Sequence, residues 1–228
     1  MLEIKKVPSG IPGLDDLIMG GFNVPSSVLI AGEPGTGKTT FLLQSLFEGA
    51  RKGESGLYIT AISEPTWLTQ RYIATFSFYD ESLIEKEKIV FKDIGNTLLK
   101  DPSNTIKEIE KLVESYTPQR LVIDPITPMK NYWIQSGNTR ESIHELLTHL
   151  KVFSTLTLIS SELTAQSLTT SVEAYMVDSV IVLSYPEEEK NVRRKYLEVL
   201  KMRGTRHRTG RNYLEIDNNG VHIVPGFS

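Results

Sequence analysis

The strongest constraint on the fold is one short glycine-rich run. Residues 32–39 read Gly-Glu-Pro-Gly-Thr-Gly-Lys-Thr, which matches G-x-x-x-x-G-K-[ST] at every fixed position. The apolar residues 28–31 before the run predict a buried strand, and residues 40–46 after it predict a helix. A strand, a glycine-rich loop and a helix in this order form a phosphate cradle, because backbone N–H groups and the positive end of the helix face the anion. The sequence therefore predicts nucleotide binding in an α/β fold.

The motif also predicts which residues contact the nucleotide. Lys38 can reach the β- and γ-phosphates as a point charge, and the Thr39 hydroxyl is placed to bind Mg²⁺. The full set that we expect around the phosphates is Glu33, Pro34, Gly35, Thr36, Gly37, Lys38, Thr39 and Thr40. No N-K-x-D run that would read a guanine base is present, so ATP with Mg²⁺ is the expected ligand pair.

Composition limits the class of protein. The length of 228 residues suits one large α/β domain, and we expect residues 1–228 to form it. A net charge of −3 gives no global basic field that would drive binding to nucleic acid or to an anionic membrane. Cysteine is absent, which excludes disulfides and thiol catalysis. Because the N-terminus has no apolar signal segment and no stretch approaches 18 apolar residues, we expect a cytoplasmic protein without a membrane partner.

The order of predicted elements indicates a mixed sheet. Strand-like runs at 56–62, 89–91, 119–124 and 156–161 alternate with predicted helices, which favours parallel strands with helices on both faces. Those helices are predicted at about 67–78, from an N-cap at Ser103 to about 115, and at 138–153. The last strand-like runs, at 177–184, 194–203, 211–216 and 221–224, are separated by turns alone. They predict an antiparallel extension at one edge of the sheet.

Three carboxylates follow predicted strands. Asp124 ends an apolar run, where a carboxylate can hold Mg²⁺ through water. Glu64 follows the second strand and is either the group that activates the attacking water or a solvated loop glutamate before Pro65. Glu162 follows Ser160 and Ser161, whose hydroxyls could contact the γ-phosphate, and is a candidate structural carboxylate near the metal.

A basic segment lies between two of the late strands. Residues 200–208 contain Lys201, Arg203, Arg206, His207 and Arg208. Three interpretations stay open: a solvated charged turn, a nucleic-acid contact, or a pair of cations that reaches the phosphates of a neighbouring subunit. Lys201 and Arg203 alternate with Leu200 and Met202, so the two cations should share a face, which favours a phosphate site.

Several of these stretches together resemble the KaiC-like branch of the RecA/RadA ATPases. The similar segments are the entry Ser-Gly-Ile-Pro-Gly-Leu-Asp at 9–15, the phosphate loop, the strand ending at Asp124, residues 171–178, and the Lys-Met-Arg-Gly run at 201–204. The phosphate loop alone is common to very many nucleoside triphosphatases, whereas the entry segment combined with the late K-x-R-G strand is much more specific.

The resemblance implies a RecA-like fold, ATP and Mg²⁺ as ligands, and a homo-oligomer, often a hexameric ring with nucleotide at the subunit boundaries. It implies that Lys201 and Arg203 act on the site of the adjacent subunit and that Glu64 is the catalytic carboxylate. Clock proteins of this family carry paired glutamates where this chain has Ser63 and Glu64, so we expect hydrolysis to be slow. They also carry a phosphorylated Ser-Thr pair, for which Ser136 and Thr139 are the nearest candidates here, and we do not expect autokinase activity.

Our leading interpretation is an ATP-dependent oligomeric switch with slow Mg²⁺-dependent hydrolysis and an unidentified regulatory protein as its partner. The main alternative is a RadA/RadB-like recombination paralogue whose assembly on DNA is gated by ATP. The basic loop supports this alternative, and the acidic net charge argues against it. A third class is a scaffold that binds ATP without hydrolysing it.

Overall fold

The computed structural model describes residues 5–61, 65–187 and 193–224, and its centre is a nine-stranded sheet. A separate antiparallel pair is formed by β1 (Lys5–Val7) and β2 (Phe22–Val24). The strands of the large sheet are β3 (Ser26–Gly32), β4 (Gly56–Thr60), β5 (Ile89–Asp93), β6 (Arg120–Ile123), β7 (Leu156–Glu162), β8 (Ser179–Ser184), β9 (Lys195–Met202), β10 (Arg211–Asp217) and β11 (Gly220–Val224).

The sheet has two parts that differ in strand direction. Its order is β11-β10-β9-β8-β3-β7-β6-β4-β5, and every pairing from β8 to β5 is parallel. The pairings of β8 with β9, β9 with β10 and β10 with β11 are antiparallel. The predicted parallel sheet with a C-terminal antiparallel extension is therefore confirmed. The carboxyl ends of the parallel strands share one edge, which is where ligands bind in sheets of this kind.

Helices cover both faces of the sheet. They are α1 (Leu14–Leu17), α2 (Lys38–Arg51), α3 (Thr66–Ile73), α4 (Glu81–Glu85), α5 (Gly95–Lys100), α6 (Thr105–Tyr116), α7 (Thr127–Gln135), α8 (Thr139–Val152), α9 (Ala165–Leu168) and α10 (Val172–Met176). The alternation along β3 sends Val28 and Ile30 into one core with α2, and Leu29 and Ala31 into the other core with α6 and α8. Two apolar layers therefore fix β3, and with it the start of the phosphate loop.

The entry segment is tied to the sheet by a buried arginine. Arg120, at the start of β6, is 1% exposed and forms an ion pair with Glu54 at 2.8 Å. Its guanidinium also donates to the carbonyl oxygens of Pro8, Ser9 and Ser45. Because a buried charge is tolerated only when it is paired and hydrogen-bonded, these contacts anchor the chain that leads into β3.

Two helix boundaries differ from the prediction. The helix expected to run to residue 78 ends at Ile73. Beyond it the chain turns, so that Phe78 becomes buried and stacks on Phe76 with ring centroids 5.3 Å apart. Packing of the Phe78 ring against Phe47 of α2 outweighs the local helical pattern.

Ser103 was also predicted wrongly as an N-cap. It lies in a 3-10 turn, Pro102–Asn104, where its hydroxyl donates to Asp101. The helix α6 begins at Thr105, after Asn104. No pattern above predicts α7, because prolines precede and interrupt its first turn; Pro128 is accommodated there since the first-turn N–H groups need no helical partner.

Candidate nucleotide site

The glycine-rich run forms a loop between β3 and α2 that is open to an anion. Gly35 and Gly37 have positive φ angles of 80° and 101°, which side chains other than glycine rarely adopt. A Cβ atom on Gly37 would also lie 2.4 Å from the Ile216 side chain. No side chain caps the first turn of α2, and that turn carries no acidic residue. Its N–H groups and the helix dipole are therefore available to phosphate oxygens.

Lys38 is the first residue of α2, and its side chain reaches back to the start of this loop. Its Nζ donates to the carbonyl oxygens of Gly32 at 2.8 Å and Glu33 at 2.9 Å, and the residue is 9% exposed. Burial lowers the pKa of the Lys38 ammonium, while the nearby carboxylates of Glu162 and Asp124 act in the opposite direction. The lysine is therefore desolvated and close to two carboxylates, as a phosphate-binding cation beside a metal site would be.

Asp124 is held by two neighbouring strands. It follows β6 and is 4% exposed. Tyr58 of β4 donates its hydroxyl to Oδ2 at 3.0 Å, and Ser160 of β7 donates to Oδ1. These bonds fix the carboxylate, since β4 and β7 flank β6 in the sheet.

A cavity of about 580 Å³ joins these groups. It is lined by Lys38, Thr39, Asp124 and Glu162 on its polar side and by Tyr72, Ile73, Phe76 and Ile216 on its apolar side. Pro34, Gly35, Gly37 and Thr40 also line it. Glu33 and Thr36 act differently, because the Thr36 hydroxyl donates to the Glu33 carbonyl at 2.8 Å and closes the loop on itself.

Thr39 and Asp124 are the residues of this cavity that fit a hard cation. Within the described ranges, no three His, Cys, Asp or Glu side chains are grouped closely enough to hold a metal by themselves. A hydroxyl and one carboxylate suit Mg²⁺, which keeps several waters and shares phosphate oxygens with its protein ligands. The donor set therefore fits magnesium bound together with a nucleotide.

The other carboxylate and hydroxyl predictions have different outcomes. Glu64 lies outside the described residues. Glu162 lines the cavity, as its position at a strand end suggested. Ser160 contacts Asp124, whereas Ser161 points to the opposite face and bonds Glu173 at 3.1 Å, so the idea that Ser161 contacts a phosphate here is wrong.

Lys201 and Arg203 lie together but away from this cavity. Both donate to the Tyr175 carbonyl oxygen, at 2.7 Å and 3.3 Å. Lys201 in β9 lies opposite Val180 in β8, and Val180 lies opposite Leu29 in β3. Leu29 is three residues before Gly32, where the loop begins. At about 3.3 Å per residue this is a separation of roughly 10 Å along the strands. The Lys201 side chain then extends further away, toward carbonyls that precede β8.

Several residues around the loop were not predicted from the sequence. Lys195, the first residue of β9, donates to the Gly35 carbonyl at 2.6 Å. Tyr58 bonds Asp124, and Tyr72 with Ile216 supplies apolar lining. A strand-terminal lysine or an aromatic residue is too common to single out in a sequence, and these residues become neighbours only through the strand order.

A search of the helices in the three described ranges finds none with the length and apolar character needed to cross a membrane.

Comparisons with known proteins agree on one family. The family model described as "ATPase: KaiC" matches residues 7–227. A KaiC-like protein of the archaeon Pyrococcus horikoshii OT3 superposes with a TM-score of 0.87 at 32% identity, covering 98% of this chain and 100% of that one.

Curated relatives are similar over part of their length. The circadian clock oscillator protein KaiC of Prochlorococcus marinus strain MIT 9313 is 29% identical over 98% of this chain. The protein of that name from P. marinus subspecies pastoris is 32% identical over 97% of this chain. The chain spans 47% and 45% of these two relatives, about half their length.

Proposed function

This chain belongs to the KaiC family of RecA-type P-loop ATPases, and on that premise we propose that it is a slow, Mg²⁺-dependent ATPase that works as an oligomeric switch. We further propose that residues 1–228 act as one ATPase domain. The observation that carries the proposal is the shared cavity of Lys38, Thr39 and Asp124 beside an uncapped helix N-terminus. The DNA-binding alternative is not favoured, because the family matched is KaiC.

Binding would use the groups of the loop. The Lys38 ammonium would exchange its carbonyl partners for β- and γ-phosphate oxygens, and the first-turn N–H groups of α2 would hold the β-phosphate. The apolar wall of Tyr72, Phe76 and Ile216 suits a nucleobase. Thr39 and Asp124 would hold Mg²⁺, which supplies charge neutralisation at the phosphates.

Hydrolysis needs a group that orients water. Glu64 comes four residues after the end of β4 in the sequence and is the carboxylate that we propose for this role. It would accept a proton as the water oxygen bonds to the γ-phosphorus and the bond to the bridging oxygen breaks, leaving ADP and phosphate.

The positions of Lys201 and Arg203 support a site shared between subunits. A separation of about 10 Å or more along the strands keeps both cations from the phosphate loop of their own chain. In a closed ring each chain would offer them to its neighbour, as in head-to-tail assemblies with cyclic symmetry. We therefore propose a homo-oligomeric ring, with a hexamer as the expected size and an unidentified protein as its regulatory partner.

The test combines mass and turnover in one sample. Light scattering with and without Mg-ATP should show an oligomer whose turnover is measured as phosphate release. Glu64→Gln should abolish most turnover while ATP binding is kept, and Glu85→Gln, at an exposed position on α4, should change neither. Turnover unaffected by Glu64→Gln would reject the catalytic assignment, and a persistent monomer would reject the shared site. Equal assembly with ATP and a non-hydrolysable analogue, with negligible turnover, would identify a scaffold instead.

A further inference from the structure

Lys201 and Arg203, the two cations proposed to act on the neighbouring subunit, both contact the end of the short helix α10. Lys201 Nζ donates to the carbonyl oxygens of Ala174, Tyr175 and Val177 at 3.1, 2.7 and 2.6 Å. Arg203 donates to the Tyr175 carbonyl through its guanidinium and to the Asp178 carbonyl through its backbone N–H. The C-terminal carbonyls of α10 are thus the surface on which both cations rest.

A helix as short as α10 is not stable by itself. It has five residues, well below the length of about 12–15 at which isolated helices become even marginally stable in water. Its location must therefore come from tertiary contacts, and any movement of α10 would move Lys201 and Arg203.

One buried carboxylate supplies two of those contacts. Glu173 is the second residue of α10 and is 1% exposed. Its Oε1 accepts from Lys130 of α7 at 2.6 Å and from Ser161 of β7 at 3.1 Å. Lys130 belongs to a helix and Ser161 to a strand of the sheet, so the carboxylate joins α10 to both elements.

Burying this carboxylate is costly. Glu173 Oε2 has no hydrogen-bond partner among the described residues. A buried oxygen without a hydrogen-bond partner destabilises the fold, so stability alone does not explain a carboxylate at this position. Hydrogen bonds are directional and have defined lengths, so those to Lys130 and Ser161 fix the distance of α10 from both partners more sharply than apolar contacts would.

We propose that Glu173 is a positioning residue for the Lys201–Arg203 pair. Glu173 fixes α10 against β7 and α7. It thereby sets the position of the Lys201 and Arg203 side chains relative to the nucleotide site of the neighbouring chain. The inference rests on the shared site proposed above, and it adds a residue that touches neither nucleotide nor metal.

The test uses mixtures of two chains that each have low turnover alone. A Lys38→Ala chain keeps its cations but lacks a nucleotide site, and an Arg203→Ala chain keeps its site but lacks a trans cation. Phosphate release should return when the two are mixed. With Lys38→Ala/Glu173→Gln as the cation donor, we expect restored turnover to be about tenfold to a hundredfold lower, since a misplacement near 1 Å can cost that much.

Two controls separate positioning from general damage. Placing Glu173→Gln in the Arg203→Ala acceptor instead should leave restored turnover unchanged. Lys38→Ala/Glu85→Gln, which makes the same chemical change at an exposed glutamate of α4, should act as a full donor. Equal losses from Glu173→Gln in donor and acceptor, or no loss in the donor, would overturn the inference.

Failure of the proposed function gives a different result. If the Lys38→Ala chain restores nothing, the trans role fails. A double-mutant cycle of Glu173→Gln with Arg203→Ala then tests whether Glu173 positions the cation pair. Additive losses of turnover would refute that role. Circular dichroism monitors folding of every chain. Should Glu173→Gln not fold, Ser161→Ala replaces it, with a smaller donor-specific loss expected and its absence counting against the proposal.

Discussion

Two lysines, one at the start of α2 and one in β9, make similar hydrogen bonds and differ in the groups that surround them. Lys38 and Lys201 both donate to backbone carbonyl oxygens, and burial lowers the pKa of each. Lys38 faces two carboxylates across a cavity at the carboxyl ends of the strands. Lys201 has Arg203 and Lys151 nearby, with Asp178 as the opposing carboxylate. The first lysine has the parts of a phosphate site in its own chain, whereas the second lies outside that cavity and would need another chain's phosphate.

The largest expected effect concerns Lys38 in the nucleotide cavity. Lys38→Ala should lower kcat/KM for ATP by about a hundredfold or more, because a preorganised cation is lost from the proposed phosphate site. Phosphate release and nucleotide binding at fixed Mg²⁺ would measure it. Lys52→Ala, an exposed lysine at the end of the same helix, serves as the control and should have no effect. Unchanged turnover in Lys38→Ala would remove the contrast between the two lysines.

The second largest effect tests whether turnover depends on Arg203 of an adjacent subunit. Turnover per chain should rise with protein concentration in the unmodified protein, while Arg203→Ala should stay low, about tenfold or more below it, with nucleotide binding kept. Arg206→Ala is the matched change in the same loop and should behave as the unmodified chain. A concentration-independent rate that falls in Arg203→Ala would place the arginine in its own chain's site.

A third effect concerns the support of Asp124. Tyr58→Phe removes one of its hydrogen bonds. We expect about 1 kcal/mol less stability toward urea and a higher Mg²⁺ requirement, because the carboxylate is less well oriented. Tyr116→Phe at the end of α6 should leave the Mg²⁺ dependence as it is. If the Mg²⁺ titration does not move in Tyr58→Phe, the tyrosine has no role in orienting the carboxylate.

The smallest effect is pH-dependent and lies beside Lys201. Burial alone would raise the pKa of Asp178, but hydrogen bonds from Ser27 and Lys151 outweigh burial and bring it below the usual value of 3.8. A depressed carboxyl pKa stabilises the fold above the unfolded value, and this contribution is lost as the pH falls through the folded value. The stability difference between the unmodified chain and Asp178→Asn should therefore be present at pH 7 and shrink below about pH 3.8. Urea unfolding at pH 7 and pH 3 measures it, and a constant difference would contradict it.

Much of the fold followed from local patterns. The alternation of strand and helix signals predicted the parallel part, and the turn-separated strands after residue 177 predicted the antiparallel part. The helix from residue 67 was predicted too long because burial of Phe78 against α2 is a tertiary contact. The helix α7 was not predicted, since the prolines that break a pattern elsewhere are tolerated in a first turn.

The candidate site divides in the same way. A contiguous motif carries Lys38 and Thr39, and a strand ending in a carboxylate carries Asp124, so local sequence was sufficient for them. Lys195 and Tyr58 reach the site from distant parts of the chain. No short-range pattern records such neighbours, because the strand order of the sheet brings them together.

By itself, the sequence determined a phosphate loop between a strand and a helix, since glycine conformations and a helix N-terminus are local properties. It also predicted that Lys201 and Arg203 lie together. Only the tertiary structure decided that this pair lies roughly 10 Å or more from the loop of its own chain, because strand order and register set that distance. It also decided that Glu173, a residue of the helix whose carbonyls both cations contact, is buried, since burial depends on elements far apart in the chain.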